Sequence, residues 1–279
     1  MIKQTVGPFS LYKHKGKKNF YGFYYDSVFD LPFAKDRRHV RVWLPEDYDF
    51  NDPNKRFPVI YFSDGQNLID SALAAFGIWE FDKCVHKKKL SVIAVGIDCP
   101  RKPKQRSEEL NPPFVPDFIK ERWRPEHPFG DVYVDYMADT IKPLIDSLFY
   151  TKPEKEWTGI GGSSMGGLMS FYAYMRRSEV FGFALSFSPA FFLYKEKTWM
   201  DIMHQFDLSL DNKVFLYVGG SGFEASFTDM TKKVHAYLKG LGMKEDKLKL
   251  IVDMKNDHNE ASWAQYLGQA LSFWLEGKK

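Results

Sequence analysis

The chain has 279 residues, 44% of them hydrophobic and 27% charged, enough to bury a sizeable core without disulfides or a structural metal. Its 39 Lys+Arg against 36 Asp+Glu are too balanced for a general nucleic-acid binder, and its two cysteines, Cys84 and Cys99, form no CxxC pair, which argues against a disulfide scaffold or structural zinc. No apolar run reaches the ~18–20 residues of a membrane span, and the polar, lysine-bearing stretch Met1–Phe20 lacks the apolar core of a secretion signal. The expectation is a cytoplasmic protein acting on a small molecule, with no nucleic-acid or membrane partner.

Residues 1–37 read as an N-terminal extension packed on a single domain spanning 1–279. The basic run Lys13–Lys18 within it, like His86–Lys89 further on, is short and reads as a solvated loop or helix face. His39–Leu44 begins by alternating basic and apolar residues, as a half-exposed strand does. Pro58–Ser63 and Leu90–Ile97 are nearly continuous apolar runs bounded by turn signals, the habit of strands buried on both faces of a parallel sheet. Further strands are predicted at Trp157–Gly161, Phe183–Phe187, Val214–Val218 and Leu248–Val252. Helices are predicted between and after them, at Asp135–Leu148, Gly167–Arg177, Thr228–Leu241 and Glu260–Leu275. The alternation specifies an α/β protein with one doubly wound, mostly parallel sheet flanked by helices.

The segment 100–130 breaks the alternation. Seven of the fifteen prolines fall between Pro100 and Pro128, so this stretch is neither a central strand nor a long helix. It reads as a loop crossing the C-terminal edge of the sheet, where open α/β sheets bind ligands. Its Phe114, Phe118, Trp123 and Arg106 make it a candidate pocket wall, with Trp123 and Arg106 as substrate contacts; a surface loop stapled by its own aromatics is the plainer alternative.

The strongest chemical signal is Gly162-Ser163-Ser164-Met165-Gly166, which follows a predicted strand and opens a predicted helix. A nucleophilic hydroxyl projecting from a sharp strand–helix turn needs glycine two residues either side, because side chains there would collide. Ser164 has that register; Ser163 fits a mere capping serine better. A serine needs a base, and in α/β-hydrolases the order is Ser, acid, His, with the His after the last strand. His258 lies between the last predicted strand and the last helix. Of the other histidines after Ser164, His235 sits in a lysine-rich helical stretch and His204 follows no strand. For the acid, Glu224 is the first carboxylate beyond the strand ending at Val218; Asp229, Asp253 and Asp257 are the other candidates. The oxyanion donors are expected to be the N–H of Met165 and that of Gln66, after the turn Asp64-Gly65.

Four stretches then resemble one family, the putative-esterase branch of the α/β-hydrolases, with its enterochelin esterase, esterase D and feruloyl esterase members. They are Val59–Leu68 (an oxyanion strand and loop), Trp79-Glu-Phe-Asp82, Ile160–Leu168 with Phe181-Gly and Ser188-Pro-Ala190, and His258–Trp263. The resemblance implies an α/β-hydrolase fold, a triad of Ser164, Glu224 and His258, a substrate-contacting Trp79, and hydrolysis without metal or organic cofactor. The sequence departs from the family where Gly220-Ser-Gly-Phe223 intervenes before the glutamate. The reading is a serine carboxylesterase for an acyl ester of a polar alcohol, of sugar or siderophore type. An acyltransferase with the same triad and a non-catalytic carbohydrate-binding protein on the same fold are the rivals.

Overall fold

Apolar runs of β-branched and aromatic residues form the strands, and their burial follows the direction in which each is paired. The computed structural model describes residues 2–12, 20–74 and 77–278, so the run Lys13–Lys18 lies outside the described residues. The strands are β1 (Thr5–Val6), β2 (Phe9–Leu11), β3 (Phe23–Leu31), β4 (Asp36–Leu44), β5 (Val59–Ser63), β6 (Ile93–Ile97), β7 (Thr158–Ser163), β8 (Phe183–Phe187), β9 (Lys213–Gly219) and β10 (Leu248–Asp253). They join one sheet in the order β1-β2-β3-β4-β6-β5-β7-β8-β9-β10. From β6 to β10 every pairing is parallel. The strands β5 to β8 in this half are buried along their whole length, as covering on both faces requires.

The first 37 residues differ from the expected extension. They supply β1, β2 and β3, which pair antiparallel in series, and β3 pairs with β4 over its full length from Phe23↔Leu44 to Leu31↔Asp36. Polar Asp26, Ser27 and Asp30 interrupt the apolar residues of Phe23–Leu31, which hides a strand near the sheet's edge from a reading by apolar runs.

Helices cover both faces because strand side chains alternate. Val59 and Tyr61 face one core and Ile60 and Phe62 the other. On the second face lie α1 (Phe81–Lys88) and the C-terminal helix Glu260–Leu275; the basic end of α1, at His86–Lys88, is exposed, as expected of that run. The predicted helix 135–148 begins earlier, as α3 (Gly130–Tyr136), widens into a π-turn over Met137–Ile141 and continues as α4 (Lys142–Leu148), where the ring of Pro143 supplies no N–H to an α-helical ladder; α6 (Glu196–Met203) follows β8. The proline-rich segment contains a helix the sequence reading did not foresee, α2 (Pro103–Glu109), opened by Pro103 at its first position. Among the described residues no helix is long and apolar enough to cross a membrane.

Helix α2 is bolted to β4 by a buried ion pair, Arg38 Nη2 to Glu109 Oε2 at 3.2 Å. Burial pushes the Glu109 carboxyl up from an ordinary 4.5 to about 7, and Arg38 offsets only part of that. The folded protein therefore keeps a proton that the unfolded chain gives up first. Stability should fall as pH rises from about 4.5 to about 7, by an amount on the order of 2–3 kcal/mol. Denaturant melts at pH 5 and pH 8 should show this decline in the native protein and a flatter one in Glu109→Gln. An unchanged decline in the variant would assign it to other groups.

Candidate active site

The turn that carries Ser164, the candidate nucleophile, is built from backbone crowding. Between β7 and α5 (Met165–Arg176), Ser164 adopts φ 59° and ψ −123°, a conformation that L-residues avoid. A Cβ on Gly162 would lie 2.5 Å from the Gly166 carbonyl carbon, and one on Gly167 would lie 2.5 Å from Phe187 O. The turn closes only with glycine at these positions. Ser164 N donates to Phe187 O (2.9 Å), and Ser164 O accepts from Leu168 N and Ala190 N. The end of β8 and the turn after it thus hold the residue that carries the hydroxyl.

The candidate acid and histidine come from the ends of β9 and β10. After β9, the stretch Gly220–Phe223 folds into a turn with Gly222 at φ 54°, bringing Glu224 back beneath the strand end at the start of α7 (Ala225–Gly240). Glu224 is fully buried. Its Oε1 accepts from Gly219 N (2.9 Å) and from Ser188 Oγ, whose own oxygen accepts from Trp263 Nε1 (2.8 Å). Its Oε2 lies 2.5 Å from His258 Nδ1. His258 occupies the loop between β10 and α8 (Glu260–Leu275), whose N-cap Asn259 accepts from Ser262 N. The imidazole is packed by Phe227, stacked at 4.4 Å, and by Trp263, perpendicular at 5.0 Å.

The other three carboxylates are engaged elsewhere. Asp257 accepts from the His258 backbone N–H, Asp253 from Tyr266 OH, and exposed Asp229 pairs with Lys233. Among the described residues, Glu224 alone meets the His258 ring. The described hydrogen bonds do not join His258 to Ser164 Oγ; contacts of this kind tighten when substrate binds.

The two expected oxyanion donors come from two different turns. Met165 is the first residue of α5 and Gln66 lies in the 3-10 turn Gly65–Asn67; among the described residues neither N–H has a hydrogen-bond acceptor. Gly65 is required by backbone proximity, since its Cβ would lie 2.5 Å from the Gly96 carbonyl carbon. Preceding it, Asp64 holds φ 58° and takes a bidentate pair from Arg106, at 2.9 and 2.7 Å. Burial raises the Asp64 carboxyl, but Arg106 more than offsets this and leaves it below the usual carboxylate range. A Cβ on Gly166 would sit 3.2 Å from Asp64 Oδ2, so the oxyanion loop and the nucleophile turn are in contact.

The expected substrate contacts fare differently. Trp79 is buried, stacked on Phe187 at 5.3 Å, and therefore packs beneath the site rather than facing a ligand. Arg106 is committed to Asp64 and orders the oxyanion loop from α2. Trp123 is half-buried against the core. The segment around it does reach the C-terminal edge: Phe118 N donates to Leu193 O, and Tyr194 OH bonds Asn111 Oδ1 and Phe114 O. Sequence reasoning assigned no role to Ser188 or Phe227. A serine before proline at a strand end and an aromatic three residues after the acid were the signals present.

The sheet order, the strand–turn–helix around Ser164 and the histidine loop after the last strand define an α/β-hydrolase-type fold. The family model described as putative esterase matches residues 33–274, and the chain belongs to that family. Ester hydrolysis is the chemistry this membership supports. Over 249 residues the chain is 24% identical to the uncharacterized protein YbbA of Bacillus subtilis (strain 168), covering 86% of this chain and 93% of that one. It shares its fold with the enterobactin esterase FES of Shigella flexneri, at TM-score 0.69 and 15% identity, covering 90% of this chain and 58% of that one. The same holds for siderophore hydrolase EstA of Aspergillus nidulans, at TM-score 0.67 and 17% identity, covering 89% and 91%.

If Glu224 orients the imidazole, Glu224→Gln should lower kcat for ester hydrolysis by ~10²–10⁴, whereas Asp229→Asn and Asp257→Asn should change it little. Steady-state kinetics on all three variants check this. A larger loss from either aspartate would remove Glu224 from the role.

Proposed function

We propose that the protein is a serine carboxylesterase acting on an acyl ester of a polar alcohol, through an acyl-enzyme. The observation that carries this is the buried Glu224 carboxylate on His258 Nδ1, built at the same sheet edge as the strained Ser164 turn. With Nδ1 facing the carboxylate, Nε2 is the nitrogen free to accept the Ser164 proton. Ser164 Oγ attacks the ester carbonyl, and the carbonyl π pair moves to oxygen, facing the N–H groups of Met165 and Gln66. When the tetrahedral centre collapses, the bond to the alcohol oxygen breaks and His258 gives that oxygen its proton. Water then enters, loses a proton to His258 and releases the acid, returning the proton to Ser164. Every step uses this chain's own residues, with no metal or organic cofactor.

The substrate class is of sugar or siderophore type. Structural likeness to a siderophore hydrolase and an enterobactin esterase supports that choice. A panel of acetyl, butyryl and feruloyl esters tests the acyl side.

Strain and function should separate at Ser164. Ser164→Ala should lower kcat by ~10³ or more with the fold unchanged. Ser164→Gly should be equally inactive yet more stable than Ser164→Ala by about 1 kcal/mol, because glycine adopts φ 59° freely. Kinetics and thermal melts of the pair provide the readout. A Ser164→Ala enzyme retaining roughly a tenth of native activity would exclude Ser164 as nucleophile.

A further inference from the structure

Three aromatic rings touch His258, and their burial separates them. Phe227 and Trp263 are 1% and 4% exposed and hold the imidazole in place. Phe223 stands perpendicular to it at 5.6 Å and is 63% exposed. Its placement is fixed by the turn that delivers Glu224. Gly222 takes φ 54°, where a Cβ would lie 2.6 Å from Asp257 Oδ2, and Ser226 Oγ donates to Phe223 O at 2.9 Å. Phe223 is also perpendicular to half-buried Phe192, with centroids 6.2 Å apart. Phe192 belongs to the 3-10 turn Ala190–Leu193, whose Ala190 N–H is bonded to Ser164 O. An exposed ring thus stands against the imidazole on one side and against the turn after β8 on the other.

We propose that Phe223, backed by Phe192, walls the half of the site that receives the leaving alcohol and selects esters whose alcohol part carries a ring with a flat carbon face. This rests on the esterase reading above. The imidazole that takes the serine proton must pass it to the alcohol oxygen, so that oxygen lies within hydrogen-bond reach of His258 and its carbon skeleton extends beside the imidazole. The carbonyl oxygen points the other way, toward Met165 and Gln66. An open ring in contact with the base therefore meets the alcohol part and not the acyl chain. The C–H face of a sugar ring or the face of an aryl ring supplies the matching surface.

The test compares kcat/KM for benzyl acetate, a glucopyranoside acetate, ethyl acetate and ethyl butyrate in native protein, Phe223→Ala and Phe223→Trp. Phe223→Ala should lower a ring-ester to ethyl-acetate ratio by ~3–10-fold and leave the butyrate to acetate ratio unchanged, while Phe223→Trp retains the native ratios. Loss in the benzyl arm assigns an aryl alcohol, and loss in the glucopyranoside arm a sugar. An equal effect on all four esters, or a changed butyrate to acetate ratio, would overturn the wall. Native protein that hydrolyses none of them would refute the esterase reading instead. Equilibrium binding of benzyl alcohol and methyl glucopyranoside then decides the wall separately: weakened by Phe223→Ala if it exists, unchanged if it does not.

Discussion

Ser164 sits in a backbone conformation that costs about 1–3 kcal/mol, and the C-terminal edge of the sheet is arranged to enforce it. Gly162 and Gly167 remove the side chains that would hold the turn open. Phe187 O and Ala190 N fasten the same residue to the end of β8 and the turn that follows. The strain places a hydroxyl above a parallel sheet, where the ends of β5, β7, β9 and β10 bring their loops to one edge. Gln66, Ser164, Glu224 and His258 each arrive on a different loop, and strand pairing sets the spacing of those loops.

Two buried carboxylates flank that turn in different environments. Glu224 accepts from a backbone N–H and from Ser188, and turns its other oxygen to His258. Asp64 takes a bidentate guanidinium and lies against the turn at Gly166. The first is arranged to hold an imidazole, the second to hold a loop in a left-handed bend. Arg106 extends this support into the proline-rich segment, so a stretch with little regular structure is tied to the oxyanion loop by one ion pair and to β4 by another.

The parallel half of the fold was legible because β5, β6 and β8 are buried along their whole length and read as nearly unbroken apolar runs. The antiparallel edge was not, because β1 and β2 are two and three residues long and β3 is interrupted by polar residues. Glycine spacing pointed to Ser164 and position after the last strand to His258; the structure puts the first in a strained turn and the second against a buried carboxylate. The partner of His258 was harder to choose, since four carboxylates lie nearby in sequence and only the turn at Gly222 decides which one faces the ring. Trp79 and Arg106 show the opposite lesson. An aromatic and a cation near a site suggest ligand contacts, yet here a stack on Phe187 and a pair with Asp64 already satisfy them.

The central claim is that Ser164 is a nucleophile activated by His258. Covalent labelling with a fluorophosphonate, followed by peptide mass spectrometry, tests it directly. The account predicts a single phosphonylated site on Ser164, with labelling slowed strongly in His258→Ala and absent from Ser164→Ala. Modification at another residue, or labelling of Ser164 at an undiminished rate without His258, would contradict it.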